Sequence, residues 1–430
     1  MRRYLPLKGF RVLSFEVAYS LPAGTRTLSE LGAEVVRVAP PNRPAGNYIA
    51  VVDGVFLGKP CIGINLKTEG GQGLARRLVQ GADAVASNFT PPVMRGFGLG
   101  HEELRELKPD LIVLQLSGYG SPGPWSSFPA FGPSTEAAGG MNGLMGVESD
   151  PPVRVGSGVF ADQLSGRYAA LALVAAIEDR NRTGRGRYID LSMTECITHL
   201  LGPSVLSAAI KRRLPERRGN RDRRYAPQGI YPCSGDDEWI AITVKGDEQW
   251  ESLVGLVGDE RLEAPELQNL ECRWMRHDEI DSVLSEWTAL SEKARLAQLL
   301  QSHGIAAGPV RKVHDSLFDE HLWARGFFQM VRHEAPILGF AAHPHPTTPW
   351  VADGRKRAHL TDTRYTGEDN YSVLSRWLGL NRVKVRGLVE SGALWDAGEL
   401  HVEDRPGAPG APRDPGFGER LGLPPAGGKH

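Results

Sequence analysis

Cysteine is scarce in this chain. Cys61, Cys196, Cys233 and Cys272 are spread over 430 residues with no Cys-x-x-Cys pair. That excludes a disulfide framework and a thiolate zinc site, and it sets the expectation of a reducing, cytoplasmic setting. Charge bias is missing too. The formal net charge is -1, so no whole-chain field draws the protein to nucleic acid or to a membrane surface. No uninterrupted apolar run approaches the roughly 20 residues a membrane helix needs. The opening Met1–Lys8 stretch lacks the apolar region of a signal peptide. His333, His343 and His345 fall in a Pro-rich segment without metal-ligand spacing, so no metal is expected.

What is present suits a soluble globular protein. Hydrophobic residues make up 41% and charged residues 23%, a balance that supports packed cores. A chain of 430 residues is long enough for two domains.

The first 120 residues alternate between strand-like and helix-like patterns. Gly9–Phe15, Glu34–Val38, Cys61–Asn65, Asp83–Ala86 and Asp110–Leu116 read as strands. Pro22–Leu31, Glu69–Gln80 and His101–Leu107 read as helices between them. This alternation predicts right-handed βαβ crossovers and a mostly parallel sheet. Ligands of such sheets sit beyond the carboxyl ends of the strands, so the loops near Phe15, Val38, Ala86 and Leu116 are the candidate walls of a site.

Residues 118–158 are rich in Gly, Pro and Ser, the composition of a long functional loop. The stretch Asp162–Glu178 is Ala-rich and nearly all apolar, which predicts a core helix. Another helix is expected from Asp190 to about Ile210. The run Lys211–Arg224 is strongly basic and reads as a solvated linker, with a basic wall near an anionic ligand as the sharper alternative. A second domain of one clear strand, Glu238–Val244, and amphipathic helices follows, with Ser291 as an expected N-cap. The expected division is 1–210 and 331–400 for a large domain, 211–226 for the linker, 227–330 for a small domain, and 401–430 for a disordered tail.

Several segments resemble those of class III CoA-transferases, the CaiB/BaiF family, in order and over most of the chain. The stretch from Leu13 to Val38 resembles the family's first βαβ unit. Gly58–Lys67, Asn88–Gly100 and Ser117–Trp125 resemble its loops at strand ends, and Gly184–Ser192, Tyr231–Asp236 and Gly304–Val310 extend the similarity. The resemblance implies an α/β fold: a Rossmann-like parallel-sheet large domain built from both chain ends, plus a smaller α+β domain. It also implies an interlocked dimer, either a homodimer or a heteromer with a homologous subunit. The implied activity is transfer of coenzyme A between an acyl-CoA thioester and a carboxylic acid. Acyl-CoA is then the substrate, and no tightly bound cofactor is expected.

By the same resemblance, Asn88, Phe89, Arg37, Lys59 and Arg95 are candidates for CoA binding, Arg95 because Gly96 stands where the family has an arginine. Ser117, Gly118, Tyr119 and Gly120 form a candidate loop around the thioester, with the 118–120 backbone as oxyanion support. The turn Phe128–Gly140 resembles the active-site turn, and Gly132 is matched to the family's catalytic aspartate. Glycine can be neither nucleophile nor base. Glu136, four residues on and standing where many relatives carry Gln, has three readings: a substitute nucleophile or base, a brace for the loop, or a bystander in a subunit whose nucleophile comes from a partner. An acyl-CoA isomerase or racemase is a further alternative, although the racemase branch keeps a His-Asp pair where this chain has Phe131-Gly132. Trp125, Phe128, Phe131, Met141 and Met145 suggest an apolar acyl pocket.

Overall fold

The computed structural model describes residues 3–39, 54–147, 149–154, 156, 159–212, 215–337, 340–354 and 360–396. The expected tail, 401–430, lies outside them. The chain divides into two compact units. The larger comprises Met1–Gly143, Arg154–Leu214 and Glu320–His430, and the smaller comprises Leu144–Val153 and Pro215–Asp319.

The larger unit is built on six parallel strands: β1 (Arg11–Phe15), β2 (Glu34–Ala39), β3 (Cys61–Gly63), β4 (Ala84–Ser87), β5 (Ile112–Ser117) and β6 (Tyr188–Ser192). Their order in the sheet is β3-β2-β1-β4-β5-β6. The order reverses between β1 and β4, the topological switch point at which doubly wound sheets open a crevice. Side chains alternate across the sheet. Leu13, Val36 and Val85 face one apolar layer, and Val12, Val35 and Ala84 face the other. Burial on both faces explains why these strands read as continuous apolar runs.

The first layer packs under α2 (Glu69–Gly81), α3 (Pro91–Gly96) and α4 (His101–Leu107). The second packs under α1 (Ser20–Glu30), α6 (Phe160–Thr183) and α7 (Met193–Leu200); α5 (Gly132–Ala138) lies against α6 and α7, and α8 (Gly202–Lys211) follows with no buried residue. Two features differ from the sequence reading. Tyr188–Ser192 forms β6, and the helix expected from Asp190 begins only at Met193. This is an edge strand whose first four residues are only half-buried, so it carries no strong apolar signal. The apolar helix α6 is not wholly enclosed either. Ala161, Ser165, Gly166, Ala169 and Leu173 face inward, while Leu171 is 64% exposed.

α1 and α6 cross in direct backbone contact. A Cβ on Gly24 would stand 2.3 Å from the Gly166 carbonyl oxygen, so no larger residue fits without displacing a helix. The crossing lies near the start of both helices. Val159, the N-cap of α6, packs against Tyr19 and Ala23 at the start of α1.

The smaller unit holds an antiparallel sheet of β7 (Gln228–Pro232), β8 (Trp239–Thr243) and β9 (Ala306–Val310). It is accompanied by α9 (Asp247–Val257), α10 (Leu270–Met275), α11 (His277–Thr288) and α12 (Lys293–Ser302) around a core that includes Trp250, Tyr231 and Leu284. The N-cap of α12 is Glu292 rather than Ser291, because its carboxylate accepts the Ala294 and Arg295 N–H groups. The basic run from Pro215 belongs to this unit. Arg221 bonds Asp278 (2.6 Å) and Asp281 (2.5 Å), and Arg224 pairs with Asp222. These two arginines are neutralised in place.

Past Glu320, the chain returns to the larger unit through α13 (Glu320–Ala324), a hairpin of β10 (Phe328–Ile337) and β11 (Phe340–Pro346), and helices α14 (Asn370–Leu378) and α15 (Arg382–Glu390). Asn370 ties this return to the sheet by accepting the Gly63 N–H and donating to the Trp395 carbonyl. The larger unit is thereby assembled from distant parts of the chain.

Candidate active site

The carboxyl ends of β1, β4 and β5 bring three loops to one edge of the sheet. After β1, Ala18 adopts a left-handed conformation at φ 54, which is costly for a residue with a side chain. Asn88, just past β4, holds that loop in place. Its amide oxygen accepts the Val17 N–H at 2.9 Å, and its amide nitrogen donates to the Val17 carbonyl at 2.8 Å. The Asn88 side chain is therefore a loop clamp, with both ends of its amide already engaged. Phe89 packs its ring on the core and lends its carbonyl to Gln115. Arg95 is exposed at the end of α3, where it is accessible to an anion.

Arg37 and Lys59, expected to meet phosphates, are both buried. Lys59 spends its three protons on Glu16 (2.5 Å), Thr25 Oγ1 (2.9 Å) and the Pro22 carbonyl (3.1 Å). Burial pushes its ammonium down to about 8, against the pull of Glu16. An ammonium has three donors, so Lys59 in this geometry has none left for a phosphate. Arg37 lies 4.0 Å over the Phe56 ring and donates to the Arg364 carbonyl at 2.9 Å. Lys59 thus braces α1, and Arg37 ties β2 to the returning segment at Arg364.

The turn after β5 is pinned at three backbone groups, the Gly118 carbonyl and the Gly120 and Ser121 N–H. The Gly118 carbonyl accepts from Thr194 twice, from its N–H at 3.0 Å and its hydroxyl at 2.9 Å. Ser117 Oγ takes the Gly120 N–H at 3.0 Å, and Asp190 Oδ2 takes the Ser121 N–H at 2.7 Å. Fixing the Gly118 carbonyl fixes the peptide plane, so the Tyr119 N–H points the opposite way. That N–H has no acceptor among the described residues. A Cβ on Gly118 would stand 2.2 Å from the Ala130 Cβ, so the turn lies flat against the segment leading into α5. The Tyr119 ring meets Trp125 and Phe128 edge-on.

α5 begins at Gly132, with Pro133 in its first turn. Glu136, on its inner face, is 0% exposed. Its Oε1 accepts the Ala161 N–H at 3.2 Å, in the first turn of α6. Its Oε2 has no hydrogen-bond partner among the described residues. The next residue along α6 is Asp162, which is half-buried. Burial pushes its carboxyl up to about 6. Its own backbone N–H works against the rise, and the charge of Glu136 adds to it.

Sequence reasoning does not single out Asp162, which there only marks the start of an apolar helix. The available signal is its position: a carboxylate in the first turn of a helix that follows a Gly-rich loop. No group of three or more His, Cys, Asp or Glu side chains suited to a metal ion occurs among the described residues.

Fold and site together define an α/β protein with three loops gathered at strand ends, a fixed backbone donor and a carboxyl brought toward neutrality. The model of CoA-transferase family III matches residues 7–359, and the chain belongs to that family of transferases. It is 31% identical over 331 residues to the succinyl-CoA–D-citramalate CoA-transferase of Chloroflexus aurantiacus, a match covering 74% of this chain and 82% of that protein. It is 27% identical over 333 residues to the beta subunit of succinyl-CoA–L-malate CoA-transferase from the same organism, covering 75% and 82%. Among solved structures, a CaiB/BaiF family protein from Brucella suis aligns with a TM-score of 0.78 at 25% identity, covering 87% of this chain and 100% of that one.

Proposed function

We propose that this protein moves coenzyme A from an acyl-CoA thioester to a carboxylic acid, with Asp162 as the nucleophilic carboxylate. The observation that carries the choice is the Asp162 carboxyl itself, half-buried in the first turn of α6 and raised to about 6. Such a group is ionised at neutral pH and more nucleophilic than a fully solvated aspartate.

In this scheme an Asp162 oxygen attacks the thioester carbon, the C–S bond breaks, and CoA leaves as thiolate. The thiolate then attacks the Asp162 carbonyl of the mixed anhydride and releases the first acid as a carboxylate. Attack by the acceptor carboxylate on the resulting Asp162–CoA thioester, followed by return of the thiolate, runs the same steps backward. A carboxylate enters and a carboxylate leaves, so the cycle requires no net proton transfer and no further cofactor. The Tyr119 N–H is the candidate donor for the developing oxyanion, and Arg95 the accessible cation for a phosphate of CoA.

Glu136 fits the nucleophile's role less well. It is fully enclosed, and one of its oxygens is committed to the Ala161 N–H. With Asp162 in the role, Gly132 does not mark a lost catalytic group, and a partner chain need not supply one.

For the acyl group, the relatives' names favour a short dicarboxylic acid over the apolar acyl chain suggested by the aromatic residues. Succinyl-CoA with citramalate or malate is the first pair to try. Assembly with a second copy is supported by an apolar face on α7 and α8. There Leu206 is 59% and Ile210 72% exposed, beside a groove of about 390 Å³ lined by His199, Val205 and Leu206. Contiguous exposed apolar surface marks an interaction site. All four cysteines are free thiols, which supports a cytoplasmic setting. No described helix is long and apolar enough to cross a membrane.

The test is CoA exchange between succinyl-CoA and a panel of carboxylic acids, followed by chromatography. Wild type should form the acceptor's CoA thioester and Asp162→Asn should not. Equal turnover in the variant would remove Asp162 from the reaction.

A further inference from the structure

The buried carboxyl of Glu136 has no role in the scheme above, yet it is fully enclosed beside the start of α6. It comes from a different helix and lies 25 residues before Ala161 in the chain. It reaches the first turn of α6 through one hydrogen bond and leaves its other oxygen without a partner among the described residues. A carboxyl enclosed in this way is costly unless it serves the site.

We infer that Glu136 is a positioning residue for Asp162: it holds the first turn of α6 through the Ala161 N–H and sets the pH range over which Asp162 acts as a nucleophile. The inference rests on the proposed role of Asp162.

The two effects arise from different parts of one side chain. The hydrogen bond needs only an acceptor oxygen, which an amide also provides. The electrostatic effect needs the negative charge, which an amide lacks. Other titratable groups on the elements around this turn are Tyr19, the N-cap of α1, Arg26 on α1, Glu195, Cys196 and His199 on α7, and Arg167 and Tyr168 on α6. Arg26 is paired with Glu30, Arg167 donates to the Ala23 carbonyl and Thr27, and His199 lies against Tyr168. Burial is the largest influence on the Asp162 carboxyl and its own backbone N–H the next, and Glu136 is the one side-chain charge that adds to the rise.

The experiment compares Glu136→Gln and Glu136→Ala with wild type in CoA exchange from pH 4.5 to 8. It also follows Asp162 directly by carboxyl ¹³C NMR, with the resonance assigned from Asp162→Asn. In Glu136→Gln, the acid limb of kcat/KM and the Asp162 titration should both move down by about half a unit to one unit, with kcat on the plateau nearly retained. In Glu136→Ala, which also loses the brace, plateau kcat should fall about tenfold or more. An Asp162 titration that stays in place in a folded Glu136→Gln variant overturns the inference. So does an unchanged plateau kcat in Glu136→Ala. If Asp162→Asn keeps full turnover, the assignment of the nucleophile fails instead, and the NMR titration still reports whether Glu136 acts on Asp162.

Discussion

Exchanging Asp162 for asparagine should make the protein more stable at neutral pH. The folded carboxyl lies near 6, while the ordinary value is 3.8. Between those values the folded chain binds more protons than the unfolded one, so stability falls as pH rises. The contribution of this group is fully present below 3.8 and is lost by the time pH passes about 6. The difference of roughly two units at ~1.4 kcal/mol per unit gives a ceiling of about 3 kcal/mol, or roughly 2 kcal/mol after solvent screening. The asparagine side chain does not titrate and has no such dependence. Urea unfolding of the wild type and Asp162→Asn at intervals from pH 3.5 to 7.5, followed by circular dichroism, gives the difference directly. The variant should gain on the wild type steadily through the window and level off above it. A gap that stays constant within about 0.5 kcal/mol across the window would show that Asp162 is solvated like a surface aspartate, and the reasoning that makes it an activated nucleophile would fail.

Two further outcomes test the surroundings of the site. Lys59→Met leaves Glu16 buried without its cation, and unfolding measurements should show a loss of about 3–5 kcal/mol. Adding Glu16→Gln should recover part of it, and strict additivity of the two changes would contradict the buried pair. Thr194→Val removes one of the three bonds that hold the Gly118 carbonyl, the others coming from the Thr194 N–H and the Ser192 hydroxyl. Steady-state kinetics should show kcat down roughly tenfold with KM little changed, because the Tyr119 N–H loses its aim. An unchanged kcat would dissociate that N–H from the reaction.

Much of the scaffold is legible in the sequence because local and tertiary signals agree in it. The apolar runs at Leu13, Val36 and Leu114 become strands since the sheet is covered on both faces, and α4 matches its expected span, His101–Leu107. The failures share a cause: depth in the fold is not written in residue type. Tyr188–Ser192 escapes the sequence reading because an edge strand is covered only in part. Lys59 and Arg37 have the charge of phosphate ligands, but their partners Glu16 and Arg364 become neighbours only after folding. Asp162 looks like an ordinary helix-start acid. What distinguishes it is burial, and a second carboxyl delivered by a helix 25 residues away. Likeness to other turns draws attention to Gly132, while the neighbouring helix start holds the better-placed group.

The most direct measurement asks where CoA becomes attached. Wild-type protein is incubated with succinyl-CoA without an acceptor acid, quenched with hydroxylamine, digested and mapped by mass spectrometry. A hydroxamate on the peptide carrying Asp162, and on no other acidic residue, is the expected result. A hydroxamate at Glu136, or acceptor-dependent turnover with no modified carboxylate anywhere in the chain, would contradict the account.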